Sequence, residues 1–160
     1  IEAAGDPPRL SIYGGKVTTY RCLAEDALER LRPFFPAMGA AWTRSSALPG
    51  GDMANADFGK FLVDLNQQYP AFDPVFLKRL ARRHGTLSRR VLGDARQMSD
   101  LGQHFGEGLT AREIAYMKSN EWARTADDIL WRRSKLGLHY LANQPASERE
   151  AVPAAIGRLL

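Results

Sequence analysis

The residues best suited to chemistry are Gly14, Gly15 and Lys16, which stand between a short β-prone stretch and two threonines. Glycines let a backbone approach a ligand closely because they carry no Cβ atom. Thr18 or Thr19 is a suitable cap for a helix, whose N-terminus offers free N–H groups and about half a positive charge. Lys16 would add a full charge at the same end. The pattern therefore suits the binding of an anionic oxygen.

The spacing does not identify the anion. A phosphate, a carboxylate and the N1–C2=O edge of a reduced flavin all fit. The segment is not a Walker A loop and not the Gly-x-Gly-x-x-Gly dinucleotide fingerprint, because the spacings of both motifs are absent. A tight turn with a capped helix and an exposed lysine is the commoner explanation of such a pattern.

Residues 127–133 form a second polar cluster. Asp128 and Arg132 are four residues apart and can form an ion pair along a helix. Acidic residues at a helix start also favour the dipole. These features indicate that the cluster does not catalyse but fastens the helical domain to itself or to a domain outside this chain. Trp122 and Trp131 are predicted to be core or interface anchors.

A metal site is not expected from the cysteine and histidine residues. Cys22 is the only cysteine, and His84, His104 and His139 have no ligand-like spacing. The net charge of +4 and the pI near 9.5 suit an anionic partner, such as nucleic acid, lipid headgroups or a phosphorylated metabolite. Most of the arginines are expected on solvated helix faces.

The elements that position these residues are predicted to be helices almost throughout. Residues 9–13 alternate in character and predict one strand, which Gly14 and Gly15 end. Asp73 and Pro74 are a helix-start signal, and Thr110 to Glu113 reads as a capping box. Apolar positions at helical spacing span 23–31, 58–69, 76–81, 86–92, 114–122, 129–136 and 152–160.

The single strand and the first residue both suggest a longer parent. One strand cannot satisfy its own backbone groups, so its partners are expected elsewhere. The sequence begins with Ile1 and not with methionine, which predicts that it was cut from a longer chain. No apolar run approaches the roughly 20 residues of a membrane span, and the start lacks the features of a signal peptide.

A family resemblance narrows these options. Residues 13–21, Tyr-Gly-Gly-Lys-Val-Thr-Thr-Tyr-Arg, resemble the Gly-Gly-Lys-Leu-Thr-Thr-Tyr-Arg segment of the flavin-dependent, quinone-linked glycerol-3-phosphate dehydrogenases. Val17 replaces the usual leucine conservatively. The likeness runs in the same order over roughly residues 9–144, through 41–43, 48–51, 69–70, 82–85, 91–93, 99–102, 105–106 and 121–137.

The resemblance implies a mostly α fold: a compact multi-helix C-terminal domain preceded by a short strand-turn segment left over from the FAD domain. Residues 1–17 would end the FAD-binding domain, 18–40 would form a connecting helix, and 41–160 would form the helical C-terminal domain. In such enzymes the FAD and substrate domains precede the helical domain.

The resemblance also implies a reaction. The parent enzyme would oxidise sn-glycerol 3-phosphate to dihydroxyacetone phosphate, reduce FAD and pass electrons to quinone. Lys16 would be the catalytic residue, stabilising negative charge on substrate or flavin. Cofactor binding would fall to Gly14, Gly15, Lys16, Val17 and Thr18. FAD would be bound by the parent and not by this fragment, which lacks a Rossmann unit and a general base near Lys16 and is expected to be inactive alone.

Partners and location follow from the same likeness. The FAD domain of the same polypeptide would be the main partner, and nucleic acid would not be one. A cytoplasmic protein, peripheral on the cytoplasmic face of the membrane, is expected, while homodimer formation and oxygen as the electron acceptor stay open. The alternative is a basic helical module that binds nucleic acid or a protein partner. It rests on the arginine-rich residues 79–90, which lack a helix-turn-helix signature.

Overall fold

The computed structural model describes residues 7–143 and 145–160, and the chain divides into two compact units, Ile1–Ala47 and Leu48–Leu160. The predicted boundaries at residues 17 and 40 stay a prediction. The described residues hold seven α-helices: α1 (Tyr20–Leu31), α2 (Phe58–Gln68), α3 (Pro74–His84), α4 (Ser88–Leu92), α5 (Ala111–Asn120), α6 (Leu136–Asn143) and α7 (Ala146–Gly157). The prediction of a mostly α fold is confirmed.

Among the described residues, the first unit has one α-helix, α1, which follows a 3₁₀ turn at Val17–Thr19. None of its residues is buried, and Leu23, in the predicted apolar stripe, is only half-buried. The predicted threonine cap is wrong, because the Thr19 hydroxyl donates backwards to the Lys16 carbonyl at 3.3 Å and does not accept a helix N–H.

The strand predicted at residues 9–13, whose partners are expected elsewhere, is not formed within the described residues. Arg9 has only an isolated bridge, and residues 10–13 form no ladder in the described part of the chain. Ile12 and Tyr13 are exposed. A β-prone stretch becomes a strand only when a neighbouring backbone supplies hydrogen-bond partners along its length. The described residues supply no such neighbour.

The core of the second unit consists of two hydrophobic clusters. The first is built from α2, α3 and α4, and α3 shows why the sequence folds this way. Asp73 accepts a hydrogen bond from the Val75 N–H at 2.9 Å, and Pro74 occupies the first helical position, as predicted. The predicted apolar positions of α3 repeat every three to four residues and are all buried. They are Phe76, Leu77, Leu80 and Ala81.

The second cluster gathers α5, α6 and α7. Ile114 and Met117 of α5 are fully buried, as is Ile156 of the tail helix α7. The Tyr140 hydroxyl donates to the Phe105 carbonyl at 2.6 Å and thereby ties α6 to the loop before α5. No helix among the described residues is long and apolar enough to cross a membrane.

Candidate functional site

The predicted site around Lys16 is an exposed segment of the first unit. Gly14 and Gly15 have φ angles of 83° and 145°, which L-residues with side chains rarely adopt. A Cβ at Gly14 would meet no atom within 4 Å, so the backbone is open to an approaching group. Val17 is 90 % exposed. The glycines therefore supply the open turn that the sequence predicts.

The Lys16 ammonium is available for an anion. In residues 7–143 and 145–160 the ammonium has no ion-pair partner. The backbone carbonyl of Lys16 accepts the Thr19 N–H at 3.0 Å. The segment keeps Gly14, Gly15, Lys16, Val17 and Thr18 together at the entrance to α1. Their roles in binding and catalysis stay predictions.

The sequence did not reveal a buried charged network in the second unit. Glu113 of α5 is fully buried and accepts two hydrogen bonds from the Arg83 guanidinium, at 2.8 and 2.9 Å. His84 Nε2 lies 2.8 Å from the same carboxylate, and His84 Nδ1 lies 3.3 Å from the Glu121 carboxylate. The network therefore joins the last turn of α3 to both ends of α5.

The sequence predicted a capping box at Thr110 to Glu113 and gave no sign of this network. Thr110 does cap α5, since its hydroxyl accepts the Glu113 N–H at 3.3 Å. The Glu113 carboxylate, however, does not return to the Thr110 backbone as a capping box requires. It binds Arg83, which is 30 residues earlier in the chain. No local signal distinguishes the two uses of a glutamate at this position.

The arrangement of charges indicates a structural role. Both ring nitrogens of His84 face carboxylates. With both nitrogens engaged, His84 has no free nitrogen to act as a general base on a ligand. Removing one partner would leave a buried charge uncompensated.

An open cleft of about 630 Å³ lies beside this network. The Glu121 side chain is 26 % exposed and lies at its edge. Other residues that line the cleft are Gly50, Met53, Phe58, Arg82, Leu87 and Tyr116. Its polar groups carry both signs of charge, so the cleft does not select one class of small ligand.

Two glycines close one side of the cleft. The Gly50 carbonyl accepts the Thr86 N–H at 3.0 Å, and Gly85 has a φ of 57°. A Cβ at Gly85 would lie only 1.9 Å from the Gly50 oxygen. Glycine is therefore required for this contact between two backbones.

Two of the five arginines in the arginine-rich stretch face carboxylates. Arg83 points into the buried network, and Arg79 lies 3.9 Å from the Glu107 carboxylate. A nucleic-acid surface needs several free cations along one side. The alternative of a basic binding module gains no support from this geometry. The described residues contain no group of three or more His, Cys, Asp or Glu arranged for a metal ion.

The cluster at residues 127–133 has a structural arrangement. The Arg132 guanidinium pairs with Asp128 at 2.9 Å, as the spacing predicts, although Asp128–Arg133 is a π-helix and not an α-helix. The backbone N–H groups of Arg124 and Thr125 bind the Asp128 carboxylate and lower its pKa to about 2. Asp128 thereby caps the segment.

The two tryptophans differ in environment. Trp131 is half-buried and packs against Gly137, where an added Cβ would lie 2.6 Å from the indole ring. Trp122 is 80 % exposed and is therefore not a core residue. Of the two predicted roles, only that of an interface anchor remains for Trp122.

Comparison with known proteins places this chain in context. Residues 41–157 match the sequence model of the C-terminal domain of alpha-glycerophosphate oxidase. Over 140 residues, the chain is 47 % identical to a glycerol-3-phosphate dehydrogenase of Pseudomonas aeruginosa and 44 % identical to the aerobic glycerol-3-phosphate dehydrogenase of Escherichia coli. It is 40 % identical over 139 residues to D-erythritol 1-phosphate dehydrogenase of Brucella abortus.

These matches cover 87–88 % of this chain but only 27–28 % of each relative. The chain thus spans about a quarter of the length of the curated relatives that it matches.

Proposed function

Because this chain belongs to the family of the C-terminal domain of alpha-glycerophosphate oxidase, we propose that it serves as the helical C-terminal part of a longer flavin-dependent dehydrogenase. The substrate of that enzyme is sn-glycerol 3-phosphate and the product is dihydroxyacetone phosphate. The observation that carries the proposal is the family match over residues 41–157, together with relatives named as glycerol-3-phosphate dehydrogenases.

The relatives limit the substrate class. The names of the three relatives describe dehydrogenases of polyol monophosphates, with either glycerol or erythritol as the polyol. The two named for glycerol 3-phosphate are 47 % and 44 % identical to this chain, against 40 % for the erythritol enzyme. We therefore favour the shorter polyol.

The residues around Lys16 fit a role beside the flavin. The open backbone at Gly14 permits close approach of a flat ring, and Lys16 has no ion-pair partner among the described residues. We assign cofactor contacts to Gly14, Gly15, Lys16, Val17 and Thr18. When bound, FAD supplies the acceptor for the hydride of the substrate. Lys16 would stabilise the negative charge that develops on the substrate oxygen or on the cofactor.

The acceptor for the electrons is proposed to be a membrane quinone, and the parent enzyme would then lie on the cytoplasmic face of the membrane. The support is the relative named as an aerobic dehydrogenase and the family resemblance of residues 13–21. A full-length enzyme that reduces dioxygen as fast as it reduces a short-chain quinone would contradict this part of the proposal.

The experiment uses the full-length enzyme with Lys16→Ala, Lys16→Arg and Lys60→Ala. Lys60 is exposed on α2 of the second unit and serves as the matched control. The readout is the rate of flavin reduction by glycerol 3-phosphate without oxygen, followed by rapid mixing. Loss of one charge-stabilising group slows such a step by roughly 10²–10³-fold. Lys16→Arg should keep part of the rate, and Lys60→Ala all of it.

Two results would overturn the assignment. An unchanged rate of flavin reduction in Lys16→Ala would remove the catalytic role of Lys16. Flavin that copurifies with the present chain alone would contradict the proposal that the remaining polypeptide holds the cofactor.

A further inference from the structure

Trp122 is a large apolar side chain held outward at a fixed place. Its indole is 80 % exposed, and its backbone has a φ of 57°, in the left-handed region that bulky residues avoid. Strained positions of this kind persist only when the surroundings determine them.

Contacts of the residues before and after Trp122 fix the backbone position of Trp122. The N–H groups of Glu121 and Ala123 both donate to the Met117 carbonyl, at 2.9 and 3.2 Å. Ala123 is fully buried, and the Glu121 carboxylate lies 3.3 Å from the buried His84 ring. The chain therefore turns inward on both sides of Trp122 and leaves its indole outside.

The following residues extend the exposed surface. The Arg124 N–H binds the Asp128 carboxylate at 2.9 Å, which fixes the Arg124 backbone. The Arg124 residue is exposed, and in the described part of the chain its guanidinium has no ion-pair partner. Tryptophan and arginine are the residue types that dominate binding energy at protein interfaces.

We propose that Trp122 and Arg124 form a docking surface for the flavin-binding part of the same polypeptide. This inference rests on the proposed function. The partner would offer a shallow apolar pocket for the indole, with a carboxylate close by for Arg124. The charged network of Glu113 then supports this surface, because Glu121, which belongs to the network, directly precedes Trp122.

Two observations favour this occupant. The relatives carry roughly three quarters of their length outside the matched region, and that length must meet the helical domain somewhere. The backbone of Trp122 is also held in one conformation before binding, which lowers the entropy lost on docking to a surface of fixed shape. A lipid surface has no fixed shape and would gain little from such preorganisation.

The first test is photo-crosslinking in the full-length holoenzyme. A benzophenone amino acid replaces Trp122 in one variant and Val75, another exposed apolar residue of the second unit, in a control. We expect a crosslink within one chain from position 122 to the flavin-binding part, identified by mass spectrometry, and none from position 75. Crosslinks between two chains, crosslinks to lipid, or no crosslink from position 122 would each overturn the proposal.

The second test measures how firmly the domain is held. Trp122→Ala in the holoenzyme should speed proteolytic separation of the helical domain by about tenfold, the change expected for loss of about 1.4 kcal/mol of docking energy. The cleavage rate of Trp122→Phe should lie between those of Trp122→Ala and the unmodified enzyme. An unchanged cleavage rate would count against docking. Flavin reduction by glycerol 3-phosphate is measured on the same samples, so failure of the proposed reaction is recognised separately.

Discussion

Replacing Glu113 by glutamine should destabilise the second unit strongly. The substitution keeps the size of the side chain and the Thr110 cap but removes the negative charge that faces Arg83 and His84. Glu113 is fully buried, and the Arg83 side chain is only 11 % exposed, so water cannot replace the lost carboxylate. Breaking one side of a buried pair costs about 3–5 kcal/mol.

The assay is thermal and urea unfolding followed by circular dichroism. Since 1 kcal/mol corresponds to about 2–4 °C in a chain of this size, the melting temperature should fall by roughly 6–20 °C. The matched control is Asp94→Asn, which breaks the Arg112–Asp94 pair at 2.7 Å. The Asp94 side chain is 92 % exposed, and its loss should change the melting temperature little.

A double variant separates charge from packing. Arg83→Met combined with Glu113→Gln removes both members of the close pair, so it should be less destabilised than the sum of the single variants. Equal melting temperatures for Glu113→Gln and the unmodified chain would refute the account of the network. Strict additivity in the double variant would show that the two side chains are not coupled.

Two further predictions concern local contacts. The pKa of Asp128 is lowered to about 2, so its ionised form adds stability above the unfolded pKa near 3.9, and this stability is lost as the pH falls through about 2. The difference in unfolding free energy between Asp128→Asn and the unmodified chain should therefore shrink from about pH 4 to pH 2. A pH-independent difference would contradict the capping role. Gly85→Ala should lower the free energy of unfolding in urea by more than about 2 kcal/mol, because the added Cβ clashes with the Gly50 carbonyl. The control is Gly39→Ala, where an added Cβ meets no atom within 4 Å and the free energy should change by less than about 0.5 kcal/mol. Equal effects would refute the close approach of Gly85 and Gly50.

The helices were predictable because their signals are local. The start of α3 at Asp73 and Pro74 and its apolar spacing lie within one short stretch, and the structure has both. The open turn at Gly14 and Gly15 was predictable for the same reason, since both positive φ angles occur where glycine is found. The strand predicted at 9–13 is not formed in the described residues, because a strand depends on a neighbouring backbone that those residues do not supply.

The charged network lay beyond local inference. The Thr110–Glu113 spacing correctly predicted the hydroxyl cap, but the partner of the carboxylate is 30 residues away and belongs to another helix. The exposure of Trp122 was hidden for a related reason. Its spacing of eight residues from Ile114 would place it on the apolar face of a continued helix, but the left-handed backbone turns the side chain outward.

The hydrogen bond from the Thr86 N–H to the Gly50 carbonyl encloses α2 and α3 within one closed loop of chain. That amide cannot exchange its hydrogen with solvent until the loop separates from the end of α3. Amides inside α2 are free to exchange through fraying of their own helix, whereas Thr86 reports the opening of the whole loop. Native-state hydrogen exchange at this one amide therefore measures the free energy that holds α2 and α3 together as a cooperative unit.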